Sequence, residues 1–280
     1  MKKILITGGN GMLANAFKRI FENNKNYDVT ILGRDEIDIA DQISVTTKIE
    51  ELKPDILINC AAYTKVDLAE TEQATANDVN GRAVGELAKI CNDKNILFVT
   101  YSTDYVFDGE NKNGYKEIDL TAPLNAYGVS KEIGEKLVQQ NCKNYLLLRT
   151  QWLYGKGGKN FVDTIIRAYD EGRDLKIVND QFGSPTLTND LAAKTLALIE
   201  ENVASGIYHI TNSETCSWHE FAEYFLTLHA GKEVKITPVT SEEFPRPAKR
   251  PHYSTLINTK TTSLRSWKEA VKEYVVSLSS

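Results

Sequence analysis

The stretch Ile4-Leu5-Ile6-Thr7-Gly8-Gly9-Asn10-Gly11-Met12-Leu13-Ala14 decides the predicted fold. A short apolar run leads into a glycine-rich turn, and the turn leads into a helical pattern. Such a turn lets a pyrophosphate approach the backbone at a helix N-terminus, where unpaired amides favour anions. Because a glycine-rich turn alone is often only a turn, the interpretation depends on the elements that follow it. The residues expected to bind a dinucleotide cofactor here are Gly8, Asn10, Gly11, Met12 and Leu13.

The first half of the chain alternates short apolar runs with helical patterns. Strands are predicted at Ile4–Thr7, Val29–Leu32, Ile56–Asn59, Ile96–Thr100 and Tyr145–Arg149. Helices are predicted at Gly11–Phe21, Ser44–Leu52, Ala74–Asp93 and Tyr127–Asn141. Ser44 is expected to be the N-cap of the second helix. Because apolar strands that alternate with helices indicate a parallel sheet covered on both faces, we predict an α/β fold. Residues 1–151 would form its Rossmann-like, doubly wound dinucleotide-binding core.

The pattern changes from about Trp152 onward. Helical stretches continue at Asn160–Tyr169, Asn189–Asn202, Ser217–His229 and Trp267–Val276. The strand-like runs become short and scattered, at Lys176–Val178, Gly206–Ile210 and Val234–Pro238. We predict that residues 152–280 form mainly a smaller C-terminal α/β substrate-binding lobe, with later segments returning to the core. The proline-rich strip 244–251 is expected to be extended, either at the surface or along a pocket.

The composition argues against several classes of protein. The chain has 280 residues, 41% of them apolar and 25% charged, as in a globular protein with a sizeable core. A net charge of −5 argues against nucleic acid or an acidic membrane as a partner. No apolar run approaches the length of a membrane span, and the start lacks the features of a signal peptide. Because both of these features are missing, we expect a cytoplasmic protein. The cysteines and histidines lack metal-ligand spacing, so we also expect no metal site.

The end of the second predicted strand lies where a dinucleotide's adenosine ribose is bound. Gly33 is followed there by Arg34 and then by Asp35. An arginine accommodates the 2′-phosphate of NADP, whereas an acid favours NAD. The order therefore favours NADPH and leaves NADH open. Further positions expected around the cofactor are Asp38 and Ile39 near the adenine and, after the third strand, Ala61, Ala62 and Tyr63.

A Tyr-x-x-x-Lys spacing opens the helix that follows the fourth strand. With 13 tyrosines in the chain the spacing alone is uninformative, so its position carries the argument. Tyr127 and Lys131 share one helix face, and Ser102 and Thr103 end the preceding strand, where open α/β sheets bind ligands. We predict transfer of a hydride and a proton onto a carbonyl. Tyr127 would move the proton, with its pKa lowered by Lys131, and Thr103 or Ser102 would hydrogen-bond the carbonyl. Tyr101 is expected to contact the cofactor.

Longer motifs make the chain similar to a known family. They lie at residues 61–70, 102–109, 123–131, 149–155, 180–186 and 250–251. Together they resemble the extended short-chain dehydrogenase/reductases and, within these, the dTDP-4-dehydrorhamnose reductases, over nearly the whole chain. The resemblance implies reduction of the C4 keto group of dTDP-4-dehydro-6-deoxy-L-mannose to give dTDP-L-rhamnose.

The resemblance also implies roles for individual residues. Thr103 would polarise the carbonyl, Tyr127 would protonate the new oxyanion and Lys131 would bind the nicotinamide ribose. The implied partner is a small nucleotide-sugar substrate, and the C-terminal segment leaves a monomer or a homodimer open. The implied substrate contacts come from Asp104 and Trp152 to the deoxysugar, and from Arg250 to the nucleotide end.

Three other functions are alternatives to this reductase activity. Sugar-nucleotide 4,6-dehydratases share the core but need a carboxylate where Tyr105 stands, which argues against them. Another nucleotide-sugar 4-ketoreductase, with a different product stereochemistry, stays open. A non-catalytic NADP-binding regulatory subunit, similar to that of methionine adenosyltransferase, would keep the Tyr and the Lys as well. Residues 149–152 and 180–185 favour the reductase over that subunit.

Overall fold

The structure is a computed structural model that describes residues 1–22 and 24–278. Its strands, in chain order, are β1 (Lys2–Thr7), β2 (Tyr27–Ile31), β3 (Ile56–Asn59), β4 (Leu97–Thr103), β5 (Tyr145–Thr150), β6 (Leu153–Tyr154), β7 (Lys176–Val178), β8 (Phe182–Gly183), β9 (Thr186–Leu187), β10 (Gly206–His209), β11 (Cys216–Ser217) and β12 (Thr237–Val239). Its α-helices are α1 (Met12–Phe21), α2 (Gln42–Leu52), α3 (Gln73–Asn77), α4 (Ala83–Asp93), α5 (Ala126–Asn141), α6 (Phe161–Asp170), α7 (Thr188–Glu200), α8 (Trp218–Ala230) and α9 (Trp267–Leu278).

Six strands form one parallel sheet in the order β10-β5-β4-β3-β1-β2. The strand order reverses between β1 and β3, which creates a crevice at their carboxyl ends. The predicted α/β class with a doubly wound parallel sheet is therefore confirmed.

Both faces of this sheet are buried, which explains its continuous apolar strands. Ile4 and Ile6 of β1 pack into one core cluster, and Leu5 between them packs into a second cluster on the opposite face. This alternation follows from the two-residue period of a strand. Helices α1 and α7 cover the first face, whereas α2, α4 and α5 cover the second.

The second half of the chain contributes both to this core and to a separate cluster. Helix α7 packs on the α1 face, and β10 extends the sheet by pairing with β5. Helices α6, α8 and α9 form a third apolar cluster with residues such as Phe221 and Trp267. Three short strand pairs, β8 with β11, β7 with β12 and β6 with β9, accompany it. Among the described helices, none is long and apolar enough to cross a membrane.

Two local predictions were wrong. The second helix is capped by Asp41, whose carboxylate accepts from the amides of Ile43 and Ser44, so Ser44 lies inside the helix. A carboxylate at the N-cap accepts two otherwise unpaired amides and therefore displaces the neighbouring serine from that role. The helix predicted at Ala74–Asp93 is interrupted by one π-helical turn, Asp78–Arg82.

Candidate active site

Buried hydrogen bonds join the carboxyl ends of β1 and β3 to each other and to the middle of β4. Thr7 Oγ1 donates to Asn59 Oδ1 at 2.7 Å, and Asn59 Nδ2 donates to Thr100 Oγ1 at 3.3 Å. The amide of Ala61 also donates to Asn59 Oδ1, at 3.2 Å. These bonds hold the edge of the sheet in one arrangement at the crevice where open α/β sheets bind ligands.

The glycine turn after β1 leaves no room for side chains. Gly8 has φ +70°, and a Cβ built on it would lie 2.6 Å from the amide nitrogen of Ala61. The amide of Gly11 donates to the Gly8 carbonyl at 2.9 Å, and α1 begins one residue later. Gly11 is the N-cap, and no side chain of the described residues caps the helix there. The turn therefore presents backbone amides at an open helix N-terminus, a shape that fits a pyrophosphate.

The other residues predicted to bind a cofactor have different environments. The side chains of Leu13 and Ile39 are buried in the two core clusters, so only their backbone could reach a ligand. Met12 packs beside Gly158, since a Cβ on that glycine would lie 2.6 Å from Met12 Cγ. The amide group of Asn10 lies against Gly33, 3.1 Å from where a Cβ on that glycine would be.

Arg34 and Asp38 form a weak surface pair at this end of the crevice. Their side chains are 81% and 40% exposed, and Arg34 Nη2 lies 3.4 Å from Asp38 Oδ2. An exposed pair of this kind contributes little to stability. The guanidinium of Arg34 can therefore turn toward an anionic ligand at small cost.

Asn80 connects the segment after β3 to the helix that carries Tyr127, and sequence reasoning missed it. Its side chain accepts from the Tyr63 amide at 2.9 Å and donates to the Tyr63 carbonyl at 2.9 Å. It also donates to Ser130 Oγ at 3.0 Å. Asn80 lies in the π-helical turn, which packs so closely on α5 that a Cβ on Gly134 would lie 2.2 Å from the Asn80 carbonyl oxygen. Ala61 thus lies beside the glycine turn, and Tyr63, two residues further on, is tied to α5 through Asn80.

Helix α5 brings the predicted catalytic pair to the end of β4. Asn125 caps this helix by accepting from the Gly128 amide at 2.8 Å. Gly128 is required because a Cβ there would lie 2.2 Å from the carbonyl oxygen of Tyr105. The ammonium of Lys131 donates to the carbonyl of Tyr101 at 2.7 Å. Tyr101 directs its own hydroxyl to Thr195, 3.0 Å away, so its carbonyl is the group that faces Lys131.

The environment of Tyr127 differs from the prediction. Burial raises the pKa of the Tyr127 phenol, the carboxylate of Asp104 raises it further, and an interaction with the Thr103 hydroxyl lowers it in part. The expected lowering of this pKa by Lys131 is therefore wrong. The reason is that the Lys131 ammonium is held by the Tyr101 carbonyl, while the phenol lies in a desolvated place. A phenol with a raised pKa keeps its proton, which is the form that donates in a reduction.

A buried ion pair lies next to Lys131, and the sequence did not predict it. Burial lowers the pKa of Lys131 to about 8, and the nearby carboxylate of Glu135 opposes this shift. Glu135 in turn accepts from Arg149 at 2.6 and 2.9 Å, and both side chains are 3% exposed. The guanidinium of Arg149 also lies over the ring of Phe107, 4.9 Å from its centroid. Such an enclosed bidentate pair fixes the position of α5 against β5.

Thr103 and Asp104 end β4 in a buried turn. Thr103 Oγ1 donates to Asp104 Oδ1 at 3.0 Å and accepts from the amide of Tyr105 at 3.2 Å. Burial raises the pKa of Asp104 to about 7, although hydrogen bonds with Ser254 and Thr103 oppose the rise. Ser102 is also buried, and its hydroxyl has no hydrogen-bond partner among the described residues.

Trp152 lies on an aromatic stack at the border of the third apolar cluster. Its ring stacks on Trp218, with centroids 3.7 Å apart. Its backbone has φ +48°, which a bulky residue adopts only when its surroundings require it. Gly183 also lies against the Trp152 ring, because a Cβ there would approach the indole to 2.8 Å.

Arg250 contacts Asp67 and also Tyr105, which follows β4. Its guanidinium donates to Asp67, and Arg246 donates to the same carboxylate at 2.6 Å. Burial alone would raise the pKa of Asp67, but the bonds from Arg250 and Arg246 outweigh it and lower this pKa. Arg250 also interacts with the Tyr105 phenol, and the Tyr105 ring meets that of Tyr127 edge-on at 5.8 Å. The proline-rich strip thus joins the segment after β3 to the surroundings of Tyr127.

The predicted site residues fall into connected groups. Thr103, Asp104 and Tyr127 interact directly, and Lys131 lies one turn further along α5. Arg250 joins this group through a tyrosine ring. The described residues contain no group of three or more His, Cys, Asp or Glu side chains that could hold a metal ion. A single sequence gives no signal for Asn80, Glu135 or Arg246, since each acts through a partner distant in the chain.

Comparison with known proteins places the chain in one family. The family model described as RmlD substrate binding domain matches residues 1–280. A dTDP-4-dehydrorhamnose reductase of Burkholderia thailandensis is 40% identical over 271 residues, covering 91% of this chain and 90% of that protein. A probable dTDP-4,6-dihydroxy-2-methyloxan-3-one 4-ketoreductase of Streptomyces antibioticus is 38% identical over 275 residues, covering 96% of this chain and 93% of that protein.

A solved structure extends the comparison to the fold. The crystal structure of dTDP-4-dehydrorhamnose reductase from Bacillus anthracis in complex with NADP superposes with a TM-score of 0.94 at 37% identity. The match covers 99% of this chain and 100% of that one. These similarities confirm the resemblance inferred from the motifs. The chain therefore belongs to the RmlD substrate-binding domain family, which includes the dTDP-4-dehydrorhamnose reductases.

Proposed function

We propose that this chain reduces the C4 keto group of dTDP-4-dehydro-6-deoxy-L-mannose with NADPH and forms dTDP-L-rhamnose. The observation that supports the proposal is the interaction of Tyr127 with Thr103 at the end of β4, with Lys131 one turn further along α5 and its ammonium on the Tyr101 carbonyl of the same strand. The names of the similar enzymes support the choice of substrate, and the NADP bound to the Bacillus anthracis enzyme supports the choice of cofactor.

The residues at the crevice fit a dinucleotide. Gly8 and Gly11 would hold the pyrophosphate, because their missing side chains leave room for it and the helix N-terminus that follows them offers unpaired amides. Arg34 is exposed at the position where a 2′-phosphate would lie, and it is not committed to a strong partner. Lys131 would bind the nicotinamide ribose. When bound, NADPH supplies the hydride.

The side chains around Tyr127 suit the proton half of the reaction. Tyr127 would donate its proton to the oxygen of the reduced carbonyl, and its raised pKa keeps that proton in place until the substrate arrives. Thr103 would hydrogen-bond the same oxygen as negative charge develops on it. Thr103 is buried and Tyr127 is half-buried, and the reduced contact with water strengthens these interactions.

The substrate would extend from Tyr127 toward residues 152–280, which would serve mainly as the substrate lobe. Asp104 and Trp152 would contact the deoxysugar. Arg250 would bind the diphosphate, because C1 lies across the sugar ring from the reacting C4 and Arg250 is one tyrosine ring away from Tyr127. Arg246 shares the Asp67 carboxylate and would add a second guanidinium.

A second candidate is a related 4-ketoreductase that makes a different stereoisomer. The 38% identity with the Streptomyces antibioticus 4-ketoreductase favours keeping this candidate. The residues that hydrogen-bond individual sugar hydroxyls would determine which of the two stereoisomers is formed. A non-catalytic NADP-binding subunit would bind the cofactor but would not consume it.

The proposal includes a cytoplasmic location and either a monomer or a homodimer. NADPH and a nucleotide sugar are both multiply charged, so neither crosses a bilayer unaided. The enzyme is therefore expected in the compartment where both are made.

The test is NADPH oxidation with dTDP-4-dehydro-6-deoxy-L-mannose and identification of the product by NMR. The proposal predicts turnover and dTDP-L-rhamnose. Turnover to a different stereoisomer would select the second candidate. Binding of NADPH without turnover of this 4-keto sugar would reject the enzymatic proposal.

A further inference from the structure

The hydroxyl of Thr103 has one proton, and it uses this proton in a hydrogen bond to Asp104. Thr103 Oγ1 donates to Asp104 Oδ1 at 3.0 Å and accepts from the Tyr105 amide at 3.2 Å. A hydroxyl offers one donor and two acceptor positions, so Thr103 has a single acceptor position left. The Tyr127 phenol occupies this position. While Asp104 is a carboxylate, Thr103 therefore cannot also donate to a substrate carbonyl.

The second oxygen of Asp104 points to a protonated form. Asp104 is 2% exposed, and its Oδ2 is buried without a hydrogen-bond partner among the described residues. A desolvated carboxylate oxygen without a donor is costly, whereas a carboxylic acid loses less and can itself donate. The shift of the Asp104 pKa to about 7 agrees with this geometry.

The groups that surround Asp104 do not supply a strong countercharge. Tyr105, from the same turn, and Tyr127, from α5, both interact electrostatically with it. Arg250 reaches the phenol of Tyr105, and the hydroxyl of Ser254 lies near the Asp104 carboxyl but donates to the Phe182 carbonyl at 3.3 Å. The direct neighbours of Asp104 are thus neutral, and the nearby cation, Arg250, contacts the Tyr105 phenol instead of the Asp104 carboxyl.

We propose that Asp104 is the proton reserve of this active site and returns a proton to Tyr127 through the hydroxyl of Thr103. The inference rests on the proposed reduction. After Tyr127 has given its proton to the substrate oxygen, the O–H proton of Thr103 passes to the phenolate. The carboxylic acid proton of Asp104 then passes to Thr103 Oγ1, which leaves Asp104 as a carboxylate until it takes a proton from water.

The hydrogen-bond geometry fits both protonation states of Asp104. With Asp104 ionised, Tyr127 can donate to Thr103 Oγ1 and Thr103 donates to Asp104 Oδ1, 3.0 Å away. With Asp104 protonated, the carboxyl donates to Thr103 and frees its proton for the phenolate or for the substrate carbonyl. Asp104 is thus a positioning residue for Tyr127, in addition to any contact it makes with the sugar.

The deciding experiment compares one turnover with many, using Asp104→Asn. Asparagine can hold Thr103 in place but cannot supply a proton. At saturating sugar, we expect the single-turnover rate to fall much less than the steady-state rate, because Tyr127 starts out protonated. Steady-state kcat should fall about 10- to 100-fold, at the low end of general acid–base effects. The wild-type kcat should also fall as pH rises through about 7, and the variant should lose this dependence.

Controls separate this role from others. Asp108→Asn removes a nearby carboxylate that bonds Tyr115 outside the proton path, and it should leave the wild-type pH profile. Thr103→Val should reproduce the steady-state defect, and Thr103→Ser should restore at least part of the rate. Infrared spectra of the ligand-free protein should show a carboxylic acid band that titrates near pH 7 and is absent from Asp104→Asn.

Several results would overturn the inference. A sugar-binding or purely structural Asp104 would raise KM or would slow single and multiple turnovers equally. The absence of the carboxylic acid band at pH 6 would contradict the proton reserve even in an inactive protein. Failure of the wild type to oxidise NADPH with any 4-keto sugar would instead reject the proposed function.

Discussion

Replacing Asp104 with asparagine should stabilise the protein, and more so at higher pH. Burial raises the pKa of Asp104 from 3.8 to about 7. A group whose pKa is raised by folding supports the fold below its unfolded pKa, and that support is lost as pH rises through the folded pKa. At pH 8 the native protein therefore holds a buried carboxylate that Asp104→Asn lacks.

The size of the effect follows from the shift. One pKa unit corresponds to about 1.4 kcal/mol, so the part of the shift between pH 5 and pH 7 amounts to about 2–3 kcal/mol. The stability advantage of Asp104→Asn over the wild type should grow by this amount between pH 5 and pH 8. Asparagine has nearly the same shape and can still accept from Thr103, so packing changes little.

The assay is urea unfolding of both proteins at pH 5 and pH 8, with the free energy of unfolding obtained from midpoint and slope. Asp108→Asn is the matched control with the opposite sign. The hydrogen bond from Tyr115 lowers the pKa of Asp108, so its carboxylate supports the fold at both pH values. That variant should lose stability equally at both. A wild-type-to-Asp104→Asn difference that does not change between pH 5 and pH 8 would refute a neutral, buried Asp104.

Three further predictions concern catalysis and the cofactor. Tyr127→Phe should lower kcat about 10²- to 10⁴-fold with little change in the Kd for NADPH, because only the proton donor is lost; an unchanged kcat would contradict the assignment. Gly8→Ala should weaken NADPH binding at least about tenfold in fluorescence titration, since the new Cβ meets the backbone of the segment after β3 and the φ of +70° is strained. Gly172→Ala, at the same φ but with nothing within 4 Å among the described residues, should bind normally. Arg34→Ala should raise the KM for NADPH about tenfold and leave that for NADH nearly unchanged, whereas Arg173→Ala at another exposed site should change neither.

Local patterns were enough to predict the main elements. The runs at Ile4–Thr7 and Ile56–Asn59 are strands because their alternate side chains fill two separate core clusters, and this gives a continuous apolar signal. Gly8 was predictable because its turn needs both a positive φ and a missing side chain. Capping was less predictable, since Asp41 and Ser44 are both good N-cap residues and only the backbone decides between them.

The electrostatics of the site could not be read from the sequence. The pKa of Tyr127 depends on how deeply the phenol is buried and on Asp104, which is distant in the chain. The position of Lys131 depends on the Tyr101 carbonyl, a backbone group that no sequence pattern marks. The buried pair of Arg149 and Glu135 likewise joins two elements only in the folded chain. These contacts decide which group holds a proton, whereas residue spacing shows only which groups are present.

The most direct test of the central claim is transfer of deuterium from labelled NADPH. Two cofactor samples, each deuterated on one face of nicotinamide C4, are incubated separately with the enzyme and dTDP-4-dehydro-6-deoxy-L-mannose. The account predicts that one of the two samples delivers deuterium to C4 of the sugar, and that Tyr127→Phe slows this transfer. If neither sample labels the sugar, or if the variant labels it at the wild-type rate, then Tyr127 and its neighbours do not carry out this reaction.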